Sequence, residues 1–175
     1  MNHIMVDLET MSNAPNAAIV AVGAVAFSVD DGIGDQFYFP VGLKSSMDAG
    51  LHVDPDTIEW WMNQSQEARR IFARRVVRPT LERVLGKFSD FVNSYSDVCI
   101  WGNGADFDNA ILASAYRATG LKQPWPYWMN RCYRTVSGMS RDIKMKRAGT
   151  HHNALDDAKS QAEHLIRILN KEKEQ

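Results

Sequence analysis

The stretch His3-Ile4-Met5-Val6-Asp7-Leu8-Glu9-Thr10 decides how the rest of the chain is read. Apolar Ile4, Val6 and Leu8 alternate with His3, Met5, Asp7 and Glu9. A period of two predicts a β-strand. The same period places Asp7 and Glu9 on one face, which is what a shared metal ion needs.

Outward from this strand, residues 18–29 form a second run rich in β-branched residues. Asp30-Asp31-Gly32-Ile33-Gly34-Asp35 is turn chemistry, and residues 36–41 predict a third strand that closes a hairpin. The chain therefore opens as an antiparallel meander. Asp54 or Asp56 can cap a helix over 57–63, and Ser65 can cap another that runs to Arg75. Pro79 opens a longer helix, where its missing N–H does little harm. There Leu81, Val84, Leu85, Phe88, Phe91, Val92 and Tyr95 recur at helical spacing. Val98-Cys99-Ile100-Trp101 predicts a short buried strand ending at Gly102. Residues 107–119 predict a helix stopped by Gly120, and residues 130–133 a fifth, edge strand. The final helix spans 154–171, with Leu155, Ala158, Ala162, Leu165, Ile166 and Leu169 as its apolar stripe. Three strands, helix, strand, helix, strand, helix is a mixed α/β order.

At 175 residues, 45% hydrophobic and 23% charged, the chain predicts one globular domain over 1–175. No apolar run approaches the roughly 20 residues of a membrane span. No basic segment followed by an apolar stretch opens the chain, so no signal peptide is expected. The two cysteines, Cys99 and Cys132, form no Cys-x-x-Cys pair and read as reduced thiols of a cytoplasmic protein. Twenty basic against 21 acidic residues exclude a globally basic nucleic-acid binder. Locally the balance differs. Arg69, Arg70, Arg74, Arg75 and Arg78 have no acid among them, and Arg141, Lys144, Lys146 and Arg147 face only Asp142. These clusters read either as solvated faces or as phosphate contacts.

Two further segments carry acids. Asn103-Gly104-Ala105-Asp106-Phe107-Asp108 puts Asp108 where the fourth strand has ended and a helix begins. His152-Asn153-Ala154-Leu155-Asp156-Asp157 puts Asp157 in the first turns of the last helix. Singly, each has a bland reading: a strand-end Asp-x-Glu, a helix cap, a common His-x4-Asp. In this order, over residues 4–157, they resemble the DEDD exonuclease superfamily, in the DnaQ-like branch whose last motif is His-x4-Asp. Glu9-Thr10-Met11 and Thr57-Ile58-Glu59-Trp60-Trp61 are similar to the subgroup of small phage and bacterial 3′→5′ exoribonuclease-like proteins. The chain departs from proofreading relatives in having Met11-Ser12 where they carry Thr-Gly, and Arg134-Thr135 where many carry Asp-Thr.

The resemblance implies a ribonuclease-H-like fold: a mixed five-stranded sheet, three-stranded antiparallel meander plus two parallel strands, flanked by helices. There the fourth strand lies beside the first, so Asp7, Glu9, Asp108 and Asp157 converge. Four carboxylates in one cleft repel and raise each other's pKa. Two divalent cations, Mg²⁺ or Mn²⁺, relieve this because they prefer oxygen ligands. Such ions about 3.5–4 Å apart clamp a phosphodiester. His152 fits the general base, since imidazole titrates near neutral pH. Only His152 gives the four-residue gap to Asp157; His151 would pair with Asp156. Asp106 and Asp156 fall outside the motif and read as capping or solvated groups.

The implied substrate is a single-stranded 3′ end of DNA or RNA, with the choice between them open. Thr10 and Met11 would meet the terminal nucleotide, the bulky side chain against its base. Asn103 and Phe107 are further candidates. Trp60, Trp61, Trp125 and Trp128 are candidates for base stacking; of Trp60 and Trp61, one is expected in the core and one in the cleft. A homodimer is compatible with the resemblance. The rivals are a ribonuclease-H-like endonuclease and a catalytically silent nucleic-acid-binding module.

Overall fold

A computed structural model describes residues 3–73 and 77–173. Five strands form one sheet: β1 (His3–Thr10), β2 (Ile19–Ser28), β3 (Gly32–Pro40), β4 (Cys99–Gly102) and β5 (Asn130–Cys132). Their spatial order is β3-β2-β1-β4-β5. β1–β2 and β2–β3 are antiparallel, whereas β1–β4 and β4–β5 are parallel. This is the expected meander plus two parallel strands.

The alternation in β1 sorts its side chains between two cores. Ile4, Val6 and Leu8 join the larger core, under α4 (Leu81–Asn93) and α5 (Asp108–Thr119). Met5 faces the other side, with Val25, Phe27, Trp101 and the apolar stripe of α7 (Ala154–Lys173). That stripe runs through Ala158, Ala162, Leu165 and Ile168, all fully buried. Leu155, Ile166 and Leu169, expected on it, are only partly buried.

One glycine brings this helix onto the sheet. Gly23 on β2 is the cross-strand partner of Asp7. A Cβ there would stand 2.2 Å from the Ala154 carbonyl carbon, so any side chain would lift the start of α7 off the strand. The first turn of α7, which carries Asp157, is thereby laid against the part of β1 that carries Asp7.

The remaining helices are α1 (Leu43–Asp48), α2 (Pro55–Met62), α3 (Gln66–Arg69) and α6 (Tyr133–Met139). α1 and α6 are not foreshadowed by periodicity. Each is short: Ser46 Oγ in α1 donates to the Ile19 carbonyl, 27 positions away, and Cys132 Sγ accepts the Thr135 N–H at the start of α6. α6 begins at Tyr133, so the fifth strand ends one residue early. The third strand starts at Gly32, four residues before expectation, because Gly32 takes a positive φ of 83° and turns the chain within the Asp30–Asp31 tip. The Ser65-capped helix is cut short. α3 ends at Arg69, a 3₁₀ turn follows over Arg70–Phe72, and Ala73 is extended. Pro79 lies before its helix and not at the first helical position; Thr80 is the N-cap, its hydroxyl accepting from the Arg83 N–H. Among the described residues, no helix is long and apolar enough to cross a membrane. Cys99 and Cys132 form no disulfide with each other.

Candidate active site

The C-terminal ends of β1 and β4, the first two turns of α7 and the face of α2 surround a cavity of about 580 Å³. Asp7, Glu9 and Asp157 meet in it. One oxygen from each lies within 4.8 Å of the others. A second cluster of the same tightness joins His151 and His152 to Asp157. Asp157 is thus the hinge between carboxylates and imidazoles.

The electrostatics are those of a charge cluster held out of water. Burial pushes the Asp7 carboxyl well above the usual range, and Asp108, Glu9 and Asp157 push the same way. Glu9 is pushed up to about 8 by burial, then by Asp157 and Asp108. Its Oε1 is buried and, among the described residues, accepts no hydrogen bond. Leaving a buried carboxylate oxygen unpaired costs roughly 1–3 kcal/mol, and a divalent cation is the group that repays it. The residues present therefore fit hard cations.

Asp108 stands differently from the other three acids. It is buried, but its Oδ1 accepts the Leu8 N–H at 3.1 Å and its Oδ2 the Asn103 N–H at 2.7 Å. Burial lifts it to about 6 against the pull of these N–H groups. It raises Asp7 electrostatically yet stands apart from the trio of clustered oxygens. Gly102 makes room for it, since a Cβ there would lie 3.0 Å from the Asp108 Cβ.

His152 sits at a positive φ of 63°, which a residue with a Cβ rarely adopts. The loop is held there by the first turns of α7. The His152 N–H donates to Asp157 Oδ2 at 2.9 Å, the Thr150 N–H to Asp156 Oδ2 at 2.8 Å, and the Ala148 N–H to Ser160 Oγ at 3.1 Å. Asp156 is thus a local brace, as its place outside the motif predicts, and Asp106 is exposed. The His152 ring meets Trp60 edge-on at 4.8 Å and stacks on His151 at 3.8 Å. Burial lowers the His152 pKa from its ordinary 6.5, and neighbouring His151 lowers it further while Asp157 opposes.

The two adjacent tryptophans divide in burial as expected, although both reach the cavity. Trp61 is 3% exposed and donates from Nε1 to the Thr10 carbonyl at 2.9 Å; Trp60 is 43% exposed. Both line the cavity, as do Thr10, Asn103 and Phe107. The Asp54 N–H donates to the Met11 carbonyl and so ties α2 to the end of β1. Met11 itself does not face the cavity. It is 5% exposed within the larger core, because both its backbone groups are engaged, with Ala18 and Asp54, and turn its side chain inward. Trp125 is also core, hydrogen-bonded to Asn130 Oδ1, and exposed Trp128 lies away from the cavity wall. Trp61→Phe should lower stability by about 1–3 kcal/mol, because it orphans the buried Thr10 carbonyl. Trp60→Ala should leave the melting temperature nearly unchanged and raise KM. Thermal melts beside steady-state kinetics separate the two, and equal effects would contradict this division of roles.

The structure adds residues that motif reading left out. Gln161, one turn beyond Asp157 on α7, donates from Nε2 to Asp7 Oδ1 at 2.8 Å. Helical spacing from Asp157 was the available signal. Asn13 and Asp56 line the cavity without any such signal, and Thr57, which opens the Thr57–Trp61 motif, lines it too. Of the basic clusters, Arg147 reaches the site, its Nη1 2.5 Å from Asp157 Oδ1. Arg78 is a brace, its guanidinium donating to the carbonyls of Ile71 and Ala73. Arg69 and Arg70 are exposed; Arg74 and Arg75 lie outside the described residues.

Residues 2–169 match the model of the 3′-5′ exoribonuclease Rv2179c-like domain. The chain belongs to that family. It is a 3′→5′ exonuclease with the ribonuclease-H-like fold. An exodeoxyribonuclease of Enterobacteria phage T4 is 27% identical over 159 aligned positions, covering 77% of this chain and 70% of the relative. Among solved structures, the nuclease domain of 3′hExo, a DEDDh family member bound to rAMP, superposes with a TM-score of 0.66 at 16% identity, over 97% of this chain and 92% of that one. Exonuclease X in complex with 5′ overhanging duplex DNA gives 0.61 at 17% identity, over 97% and 92%. Escherichia coli exonuclease I with a dT13 oligonucleotide gives 0.62 at 14% identity; this chain covers 41% of it. At these identities the structural likeness establishes the fold.

Proposed function

We propose that this exonuclease removes nucleotides from single-stranded or overhanging 3′ ends and releases nucleoside 5′-monophosphates, with Asp7, Glu9 and Asp157 holding two divalent cations, Mg²⁺ or Mn²⁺. Asp108 adds the fourth negative charge behind them. The observation that carries this reading is the trio of carboxylate oxygens within 4.8 Å, beside an imidazole in the same cavity. Cations bound there would stabilise charge on the phosphate and acidify an attacking water.

The chain's own side chains do the rest. His152 takes the proton of the water whose oxygen attacks phosphorus; the bond to the 3′-oxygen of the preceding nucleotide breaks, its electron pair stays on that oxygen, and a solvent proton completes the new 3′-hydroxyl. Thr10, Asn103 and Phe107 line the room for the terminal nucleotide, and the open face of Trp60 is available to a base. A stacking contact tolerates every base, so little sequence preference is expected.

Relatives point to both sugars: the family description names an exoribonuclease and the phage relative an exodeoxyribonuclease. We read the cavity as accepting either. The test is digestion of 5′-labelled single-stranded, overhanging, blunt and circular substrates of DNA and RNA. Progressive shortening from the 3′ end of single strands is the expected result. Cutting of a circle, or faster digestion of blunt duplex than of single strand, would overturn the reading.

A further inference from the structure

Arg147 is, among the described residues, the one arginine or lysine on the wall of the active-site cavity. It spends its charge on a residue that the reaction needs. Its Nη1 lies 2.5 Å from Asp157 Oδ1, while Asp157 Oδ2 accepts the His152 N–H. Both oxygens of Asp157 are therefore engaged. The two partners differ in freedom: the Asp157 side chain is 11% exposed and the Arg147 side chain 50%. The carboxylate is fixed by its helix, whereas the guanidinium reaches in from a loop on a flexible stem.

We infer that Arg147 is a counter-ion that changes partners. Paired as it stands, it neutralises Asp157. Where Asp157 helped hold a cation, Arg147 would be released and would take a non-bridging oxygen of the 3′-terminal phosphodiester. This rests on the exonuclease reading above and adds to it a phosphate ligand and a coupling between metal and substrate. The chemistry suits the exchange. A guanidinium presents a planar fork of donors that matches carboxylate and phosphate alike. Four acids crowd the site, so a resident cation lowers their repulsion until divalent ions replace it. Coupling of this kind is reciprocal: metal favours substrate, and substrate favours metal.

The exchange predicts effects of opposite sign from one substitution. Arg147→Gln removes a competitor for Asp157, so Mn²⁺ titrated calorimetrically without nucleic acid should bind several-fold tighter. The same variant should bind a single-stranded oligonucleotide with a non-hydrolysable 3′ linkage about tenfold more weakly in Mn²⁺, the loss of one charge-assisted hydrogen bond. In EDTA, where Arg147 is occupied, the variant should bind that oligonucleotide no more weakly than the wild type. The salt dependence in Mn²⁺ should lessen by about one phosphate contact. Arg147→Lys, which keeps the charge, should recover part of both effects. A variant that binds both Mn²⁺ and oligonucleotide more weakly marks a structural residue and overturns the inference; so does one unchanged in both. A wild type that binds Mn²⁺ but no oligonucleotide overturns the exonuclease reading itself, and the sign of the calorimetric change still decides whether Arg147 competes with the cation.

Discussion

Replacing Glu9 with alanine is expected to remove 3′-terminal hydrolysis, by at least ~10³-fold, and so is removal of metal with EDTA. Asp7→Ala and Asp157→Ala should do the same. Cation stabilisation of a transferring phosphate is worth several kcal/mol, and each ~1.4 kcal/mol is a factor of ten in rate. Glu9 is the sharpest probe because of its position. It is 6% exposed, one oxygen lacks a partner, and without a cation it holds its proton up to about pH 8. Binding a cation must expel that proton, and burial with three acidic neighbours pushes the Asp7 carboxyl in the same direction. Metal affinity should therefore rise with pH through neutrality, and calorimetry in buffers of different ionisation enthalpy should register proton release. Asp108 needs a gentler substitution. Asp108→Ala orphans the Leu8 and Asn103 N–H groups and would confound stability with rate, whereas Asp108→Asn keeps an acceptor and removes the charge. Full activity in EDTA, or in the Glu9→Ala protein, would end the metal mechanism.

What could be read from the sequence is what local periodicity encodes. The alternation in residues 3–9 predicted both the central strand and the shared face of Asp7 and Glu9, and β1 bears this out. The apolar stripe of the last helix placed Asp157 on its first turns. The misses have a common cause: they depend on contacts between segments distant in sequence. Gly23 reads as one more small residue in a β-branched run, and only the approach of Ala154 explains why a side chain is excluded there. Gln161 and Asp7 are 154 positions apart. Arg147 sits in a cluster that reads equally as a solvated face, and its pairing with Asp157 depends on how the 140–153 loop folds back. Met11 was assigned to the substrate because it follows the metal ligands. The chain turns just there, after the register shift between Glu9 and Thr10, and delivers that side chain to the core. The Trp60 and Trp61 pair shows the boundary well. Helical geometry requires two environments for neighbours about 100° apart, but which is buried depends on the Thr10 carbonyl that Trp61 bonds.

The second large effect belongs to His152. Its replacement by asparagine, which tolerates the left-handed backbone at φ 63° better than alanine does, should cost roughly 10²–10⁴-fold in kcat, the range of general-base catalysis. His151→Ala should cost far less, since its ring, although it lines the cavity, is exposed and falls outside the His-x4-Asp spacing. The pH dependence separates the two histidines further. A base must be unprotonated to act, so log kcat rises with pH and reaches a plateau above the imidazole pKa. Burial and His151 both depress that pKa below 6.5, which places the plateau at neutral pH and the fall on the acid side of 6.5. Removing His151 removes one of the depressing charges, so the inflection in His151→Ala should move upward, toward neutrality, while the plateau rate is largely kept. His152→Asn should instead lose the inflection together with the rate. Single-turnover rates across this range, with saturating Mg²⁺, measure both. Equal losses from the two substitutions, or an acid limb that persists unchanged in His152→Asn, would show that another group takes the proton.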